Sequence, residues 1–116
     1  MTPYRFQRDA ASLESLASDG QLLAHEAAAG HAPAAFVAAH ASEVGADAGD
    51  LSSVIASTNP RPTLSGKTRE LATLARSVDR QLERLEHSPD DRALARQVAD
   101  RLGEIGDRAA ELEESA

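Results

Sequence analysis

The chain has 116 residues, a formal net charge of −7 and no cysteine, and its 24 alanines equal in number all the larger apolar residues together. These figures exclude a disulfide scaffold, a CxxC redox centre and any cysteine-ligated zinc or iron–sulfur site. Few aromatic and β-branched residues argue against a β-sandwich or barrel, and the length argues for one domain.

The first helix begins at Thr2-Pro3, an N-cap residue followed by proline at the first helical position. Phe6, Ala10, Leu13, Leu16, Ala17, Gly20, Leu23, Ala24 and Ala27 then recur at the spacing of one helical face. Gly30 closes the helix in the left-handed conformation. Pro33 opens helix two after a short connection, so the pair is antiparallel. Val37, Ala41, Val44, Ala48, Leu51 and Ile55 give helix two its inner face, and it ends near Thr58. Gly45 and Gly49 each cost about 1 kcal/mol relative to Ala in a helix interior. Helix two reads as continuous through them, the alternative being a break near Ala46–Asp50.

Asn59-Pro60-Arg61-Pro62-Thr63 cannot be helical, because its prolines lack donors and force their predecessors into extended backbone. This linker, taken over residues 59–64, divides the chain into a hairpin at 1–58 and a hairpin at 65–116. Helix three runs from Ser65, its expected N-cap, to about His87. Its inner face carries Leu71, Leu74, Val78, Leu82 and Leu85, and His87 interacts favourably with the helix C-terminus. Ser88-Pro89-Asp90-Asp91 reads as the next start: Ser88 as N-cap, Pro89 first in the helix, two carboxylates in the first turn. Helix four follows with Leu94, Val98, Leu102, Ile105, Ala109 and Leu112. The expected architecture is all-α, an antiparallel up-down-up-down four-helix bundle built from two helical hairpins.

Two faces do not fit a simple monomer. The back of helix one aligns Tyr4, Ala11, Ser15, Ser18, Leu22 and Ala29 at heptad-like spacing. Helix two carries a stripe of small residues, Ala38, Ser42, Gly45, Gly49, Ser52 and Ala56, which permits close helix approach. The first 58 residues hold 16 of the 24 alanines. The expectation is an interface formed by helices one and two, with a second copy or with a helical protein partner. Its residues would be Tyr4, Ala11, Ser15, Ser18, Leu22, Ala38, Ser42, Gly45 and Gly49.

Chemistry has little material to work with. His40, Glu43 and Asp47 lie within about 60° on helix two, and a metal-binding bundle for zinc, iron or manganese is the alternative function; His25 and Glu26 are further candidates. The di-iron Glu-x-x-His pattern, H-E-x-x-H and G-x-S-x-G are all missing. Gly66-Lys67-Thr68 lacks the first glycine of a P-loop and any preceding strand. Arg69, Arg76, Arg80 and Arg84 share an arc of about 80° on helix three, flanked by Asp79, Glu83 and Glu86, which reads as a solvated face. Glu104–Arg108 and Arg96–Asp100 are expected i,i+4 pairs on helix four.

The acidic balance speaks against nucleic acid as a partner. No apolar run is long enough for a membrane span, and the start lacks a signal-peptide core. The sequence therefore predicts a cytoplasmic, non-catalytic protein with no cofactor and no small-molecule substrate. Eleven of its 12 basic residues are Arg, the bias of a GC-rich bacterial genome.

Overall fold

The computed structural model describes residues 1–59 and 61–116; Pro60, part of the linker read above, lies outside them. Four helices form the bundle: α1 (Pro3–Ala29), α2 (Ala34–Ala56), α3 (Ser65–His87) and α4 (Arg92–Ser115). Among the described residues there is no strand, and no helix is long and apolar enough to cross a membrane.

Local chemistry sets most of the helix ends. The Thr2 hydroxyl accepts a hydrogen bond from the Arg5 amide at 3.2 Å, and Pro3 occupies the first turn, where a missing N–H costs nothing. Gly30 adopts φ 73°, which lets its own amide and that of His31 donate to the carbonyls of Ala27 and Glu26. After α2, the Ser57 and Thr58 hydroxyls donate back to the carbonyls of Val54 and Ile55, at 2.9 and 2.8 Å.

Two expected helix starts are corrected. Helix α3 is preceded by a 3-10 turn at Pro62–Leu64, and Leu64 occupies the N-cap position, so Ser65 is the first helical residue rather than the cap. Helix α4 is capped by Asp91, whose carboxylate accepts from the Leu94 amide at 3.0 Å. Ser88, Pro89 and Asp90 form the turn before it, closed by the Asp91 amide donating to the Ser88 carbonyl. Both Ser88 and Asp91 are good caps. Asp91 wins because starting there leaves Pro89 in the turn and sets Asp91's acceptor against the new helix.

The helices pack as two close pairs, α1 with α4 and α2 with α3, and each pair is held at small residues. Ser52 donates to the backbone carbonyl of Ala72 at 2.9 Å, a contact that needs the α2 and α3 backbones to approach closely. A methyl group at Gly49 would lie 3.0 Å from Asp79 Oδ2, and one at Gly45 3.3 Å from Asp79 Oδ1. Helix α2 therefore runs unbroken through Ala46–Asp50 because its glycines admit Asp79. On the other side, a methyl group at Gly106 would touch the Ala17 methyl at 3.6 Å. Between the pairs lies one core of larger side chains, with Phe6, Leu13, Val37, Ile55, Leu71, Leu82, Leu85, Leu102 and Ile105 fully buried. Contacts between α1 and α2, and between α3 and α4, are sparser and leave grooves.

Candidate functional site

Periodicity assigns each helix an inner face, but it does not say what the remaining faces meet. Among the described residues the exposed large hydrophobic side chains are Tyr4 (74% exposed), Leu22 (63%), Phe36 (55%) and Val54 (44%). All four lie on α1 and α2. On α1, Tyr4 and Leu22 stand opposite the buried face of Phe6, Leu13 and Ala24. On α2, Phe36 and Val54 are 18 residues apart, five turns of helix, so they share one line along its surface.

Leu22 and Phe36 both line the open side of the first hairpin. With Leu23, Ala32 and Pro33 they make the apolar walls of a groove of about 460 Å³. Asp19, Glu26, His31 and His40 supply its polar groups. His31 Nδ1 lies 3.4 Å from Glu26 Oε2, and the His40 ring stacks on Phe36 with centroids 5.6 Å apart. The stack fixes Phe36 as one wall of the groove. Groove size and apolar lining are those of a binding site, and its acidic groups favour a cationic neighbour.

The nine residues expected at an interface divide between two sides of the hairpin. Tyr4, Ser15, Ser18 and Leu22 are exposed on α1, and Ala11 is half-buried beside them. The α2 stripe turns elsewhere. Gly45 is buried and Gly49 half-buried against Asp79 of α3, while Ala38 is half-buried and Ser42 exposed on that helix. Gly45 and Gly49 on α2 thus face a partner within the chain, and α1 carries the free seam. Phe36, which no periodic face claimed, joins Leu22 there.

The metal candidates do not converge. His40 is half-buried against Phe36, while Glu43, Asp47, His25 and Glu26 are exposed. Among the described residues no group of three His, Asp or Glu side chains is placed to hold a metal ion. His87 donates through Nδ1–H to the Glu83 carbonyl at 2.8 Å, a helix-end contact. Lys67 donates to the Ser115 carbonyl at 2.8 Å and so ties the end of α4 to the start of α3.

The arginine face is also rearranged. Asp79 does not lace it but turns toward α2, where burial, then the carboxylates of Glu83, Asp50 and Glu86, raise its pKa. Arg84 bonds the amide oxygens of Gln81 and Gln97. Arg69 and Arg76 line a 380 Å³ hollow between the end of α2 and the start of α3. Thr68, whose hydroxyl is buried without a hydrogen-bond partner, also lines it. Arg108 pairs across helices with Glu70 and, within α4, with Glu111 at 2.9 Å. Glu104 pairs instead with Arg101 at 3.2 Å. Arg108 holds Glu70 below its ordinary pKa.

Comparison of the chain with protein-family models, with curated proteins and with solved structures gives no match.

Proposed function

We propose that this protein is a small non-catalytic helical bundle of the cytoplasm that acts by self-association, with the exposed face of α1 and the adjoining groove as the contact surface. The observation that carries this reading is the one-sided exposure of large apolar groups: Tyr4, Leu22, Phe36 and Val54 all lie on the first hairpin. Scattered exposed hydrophobics are ordinary, whereas several collected on one hairpin mark a contact surface. Size is consistent with it. The bundle measures 45 × 22 × 16 Å, so one long side is on the scale of the about 800 Å² that each partner buries in a standard interface.

Light scattering at micromolar concentration is expected to give twice the 12.2 kDa chain mass. Leu22→Glu places a charge in the apolar contact and is expected to weaken the dimer at least about tenfold while leaving the helical content unchanged. A monomer whose mass is the same with and without the substitution removes this reading.

A further inference from the structure

The groove beside Leu22 is open, and its chain's one tyrosine stands unpartnered at the far end of the same helix. We propose that the groove is the seat of Tyr4 from a second copy of this chain, in an antiparallel, two-fold pairing of α1 helices. The inference rests on the self-association proposed above and adds its register, its orientation and its anchor.

The register comes from spacing. On the outer side of α1, Tyr4, Arg8, Ala11, Ser15, Ser18 and Leu22 follow steps of four, three, four, three and four, the seam of a helix that pairs with another along its length. In a two-fold antiparallel pair, opposed residues have numbers with a constant sum. The sum that opposes Tyr4 to Leu22 also opposes Arg8 to Ser18 and Ala11 to Ser15. Large groups then meet at both ends, and small ones fill the middle, where the helices must approach closely. The symmetry makes two equal contacts, so each copy gives one Tyr4 and receives one.

Charge selects the same orientation. The outer side of α1 carries Arg8 near its start and Asp19 and Glu26 toward its end. Antiparallel pairing sets Arg8 of one copy beside Asp19 of the other, twice per dimer. A parallel pair would instead stack Arg8 on Arg8 and Asp19 on Asp19. The outer line of α2 has the same spacing, from Phe36 to Val54, but its middle positions are Glu43, Asp47 and Asp50. Two such lines would oppose carboxylate to carboxylate, so α2 flanks the contact and does not centre it. The aromatic ring of Tyr4 suits walls of Leu22, Leu23 and Phe36, and Glu26 and His40 offer acceptors to its hydroxyl.

The sequence makes the test clean, because it has no cysteine and no tryptophan. Mild oxidation of Y4C mixed with L22C is expected to give disulfide-linked dimers. Y4C alone and L22C alone are expected to give none, since within the pair like positions lie about 27 Å apart along the axis, beyond disulfide reach. Both sites are exposed, so folding is retained. In the unmodified protein, acrylamide quenching of the single tyrosine is expected to fall several-fold as concentration drives the dimer. A dimer that cross-links in Y4C alone or in L22C alone, or in none of the three samples, or whose tyrosine stays fully quenchable, overturns the seating of Tyr4 and leaves self-association standing. A monomer at all concentrations overturns both and leaves the face to a foreign helix.

Discussion

Helices α3 and α4 expose no large apolar side chain, whereas α1 and α2 leave four in solvent, although the two hairpins contain similar lengths of helix. The second hairpin is amphipathic in the simple sense: leucines, valine and isoleucine inward, arginines and carboxylates outward. The first carries 16 alanines and only two arginines within residues 1–58. Its alanines and glycines do not thin the core evenly. Six of the alanines, Ala10, Ala17, Ala24, Ala27, Ala41 and Ala48, are buried. Ala17 packs against Gly106 of α4, and Gly45 and Gly49 admit Asp79 of α3, so at these points the helices close in. A helix that packs through small residues needs less of its circumference for large ones, and a second face becomes available for contact. The difference between the hairpins is thus one of assignment: one holds the fold, and the other holds it with small groups while presenting large ones.

The largest expected effect tests that assignment directly. Leu82 and Leu102 are fully buried at the centre, where their methyl groups approach Gly20 of α1. Leu82→Ala is expected to cost about 2–5 kcal/mol in urea unfolding, from lost burial and a residual cavity. Leu22→Ala, measured at concentrations where the chain is a monomer, is expected to stay within about 0.5 kcal/mol. Equal losses at the two leucines would mean that the first hairpin's exposed groups belong to the fold after all.

Much of this fold is legible in the sequence, and the misses have physical causes. Thr2-Pro3 and Gly30 bound α1 because cap chemistry there has one solution. Ser88 and Asp91 offer two caps three residues apart, and local propensity does not rank them; the turn built by Pro89 does. Spacing of i,i+4 pairs Arg108 with Glu104, yet its guanidinium meets both oxygens of Glu70 on α3, a fork geometry that a single helix does not offer. The small-residue stripe of α2 was visible, but which neighbour it faces is a tertiary fact. For the candidate site, heptad spacing revealed Tyr4 and Leu22. Phe36 carries no such signal because it stands in the first turn of α2, outside the repeating inner face. Only the closeness of the α1 and α2 ends joins it to Leu22.

A smaller effect sharpens the comparison at the point where the hairpins touch. A methyl group added at Gly20 would lie 3.0 Å from Leu102 Cδ1 and 3.1 Å from Leu82 Cδ2, both buried. Gly20→Ala gains about 1 kcal/mol of helix propensity but overpacks the core at a cost of about 1–3 kcal/mol. The expected result is a net loss of about 1 kcal/mol. At Gly66, where an added methyl meets nothing within 4 Å, Gly66→Ala is expected to stabilise by about the propensity gain alone. If both substitutions stabilise, the close approach of α1 to the leucines of the second hairpin is not a constraint.

The smallest effect contrasts a charge contact within the second hairpin with one between the hairpins, by sign. Within the second, Glu70 on α3 meets Arg108 on α4; between the two, Glu14 on α1 meets Glu113 on α4. Glu113 accepts a hydrogen bond from the protonated Glu14 carboxyl, and burial and the charges of Glu113 and Glu114 add to this, pushing the Glu14 pKa from 4.5 up to about 7. The folded state then binds the proton more tightly than the unfolded chain. Its contribution is fully present below about pH 4.5 and is lost as pH rises through about 7. Glu70 acts in the opposite direction: Arg108 holds its pKa down, so its contribution is present at neutral pH and is lost on acidification. Glu14→Gln removes the charge and keeps a hydrogen-bonding group, so the variant should match the parent near pH 4 and exceed it at pH 8. Solvent screening at this half-buried site keeps the gain under about 1 kcal/mol. Unfolding curves at the two pH values check this. A variant whose stability follows the same pH profile as the parent would show that Glu14 and Glu113 do not share a proton across α1 and α4.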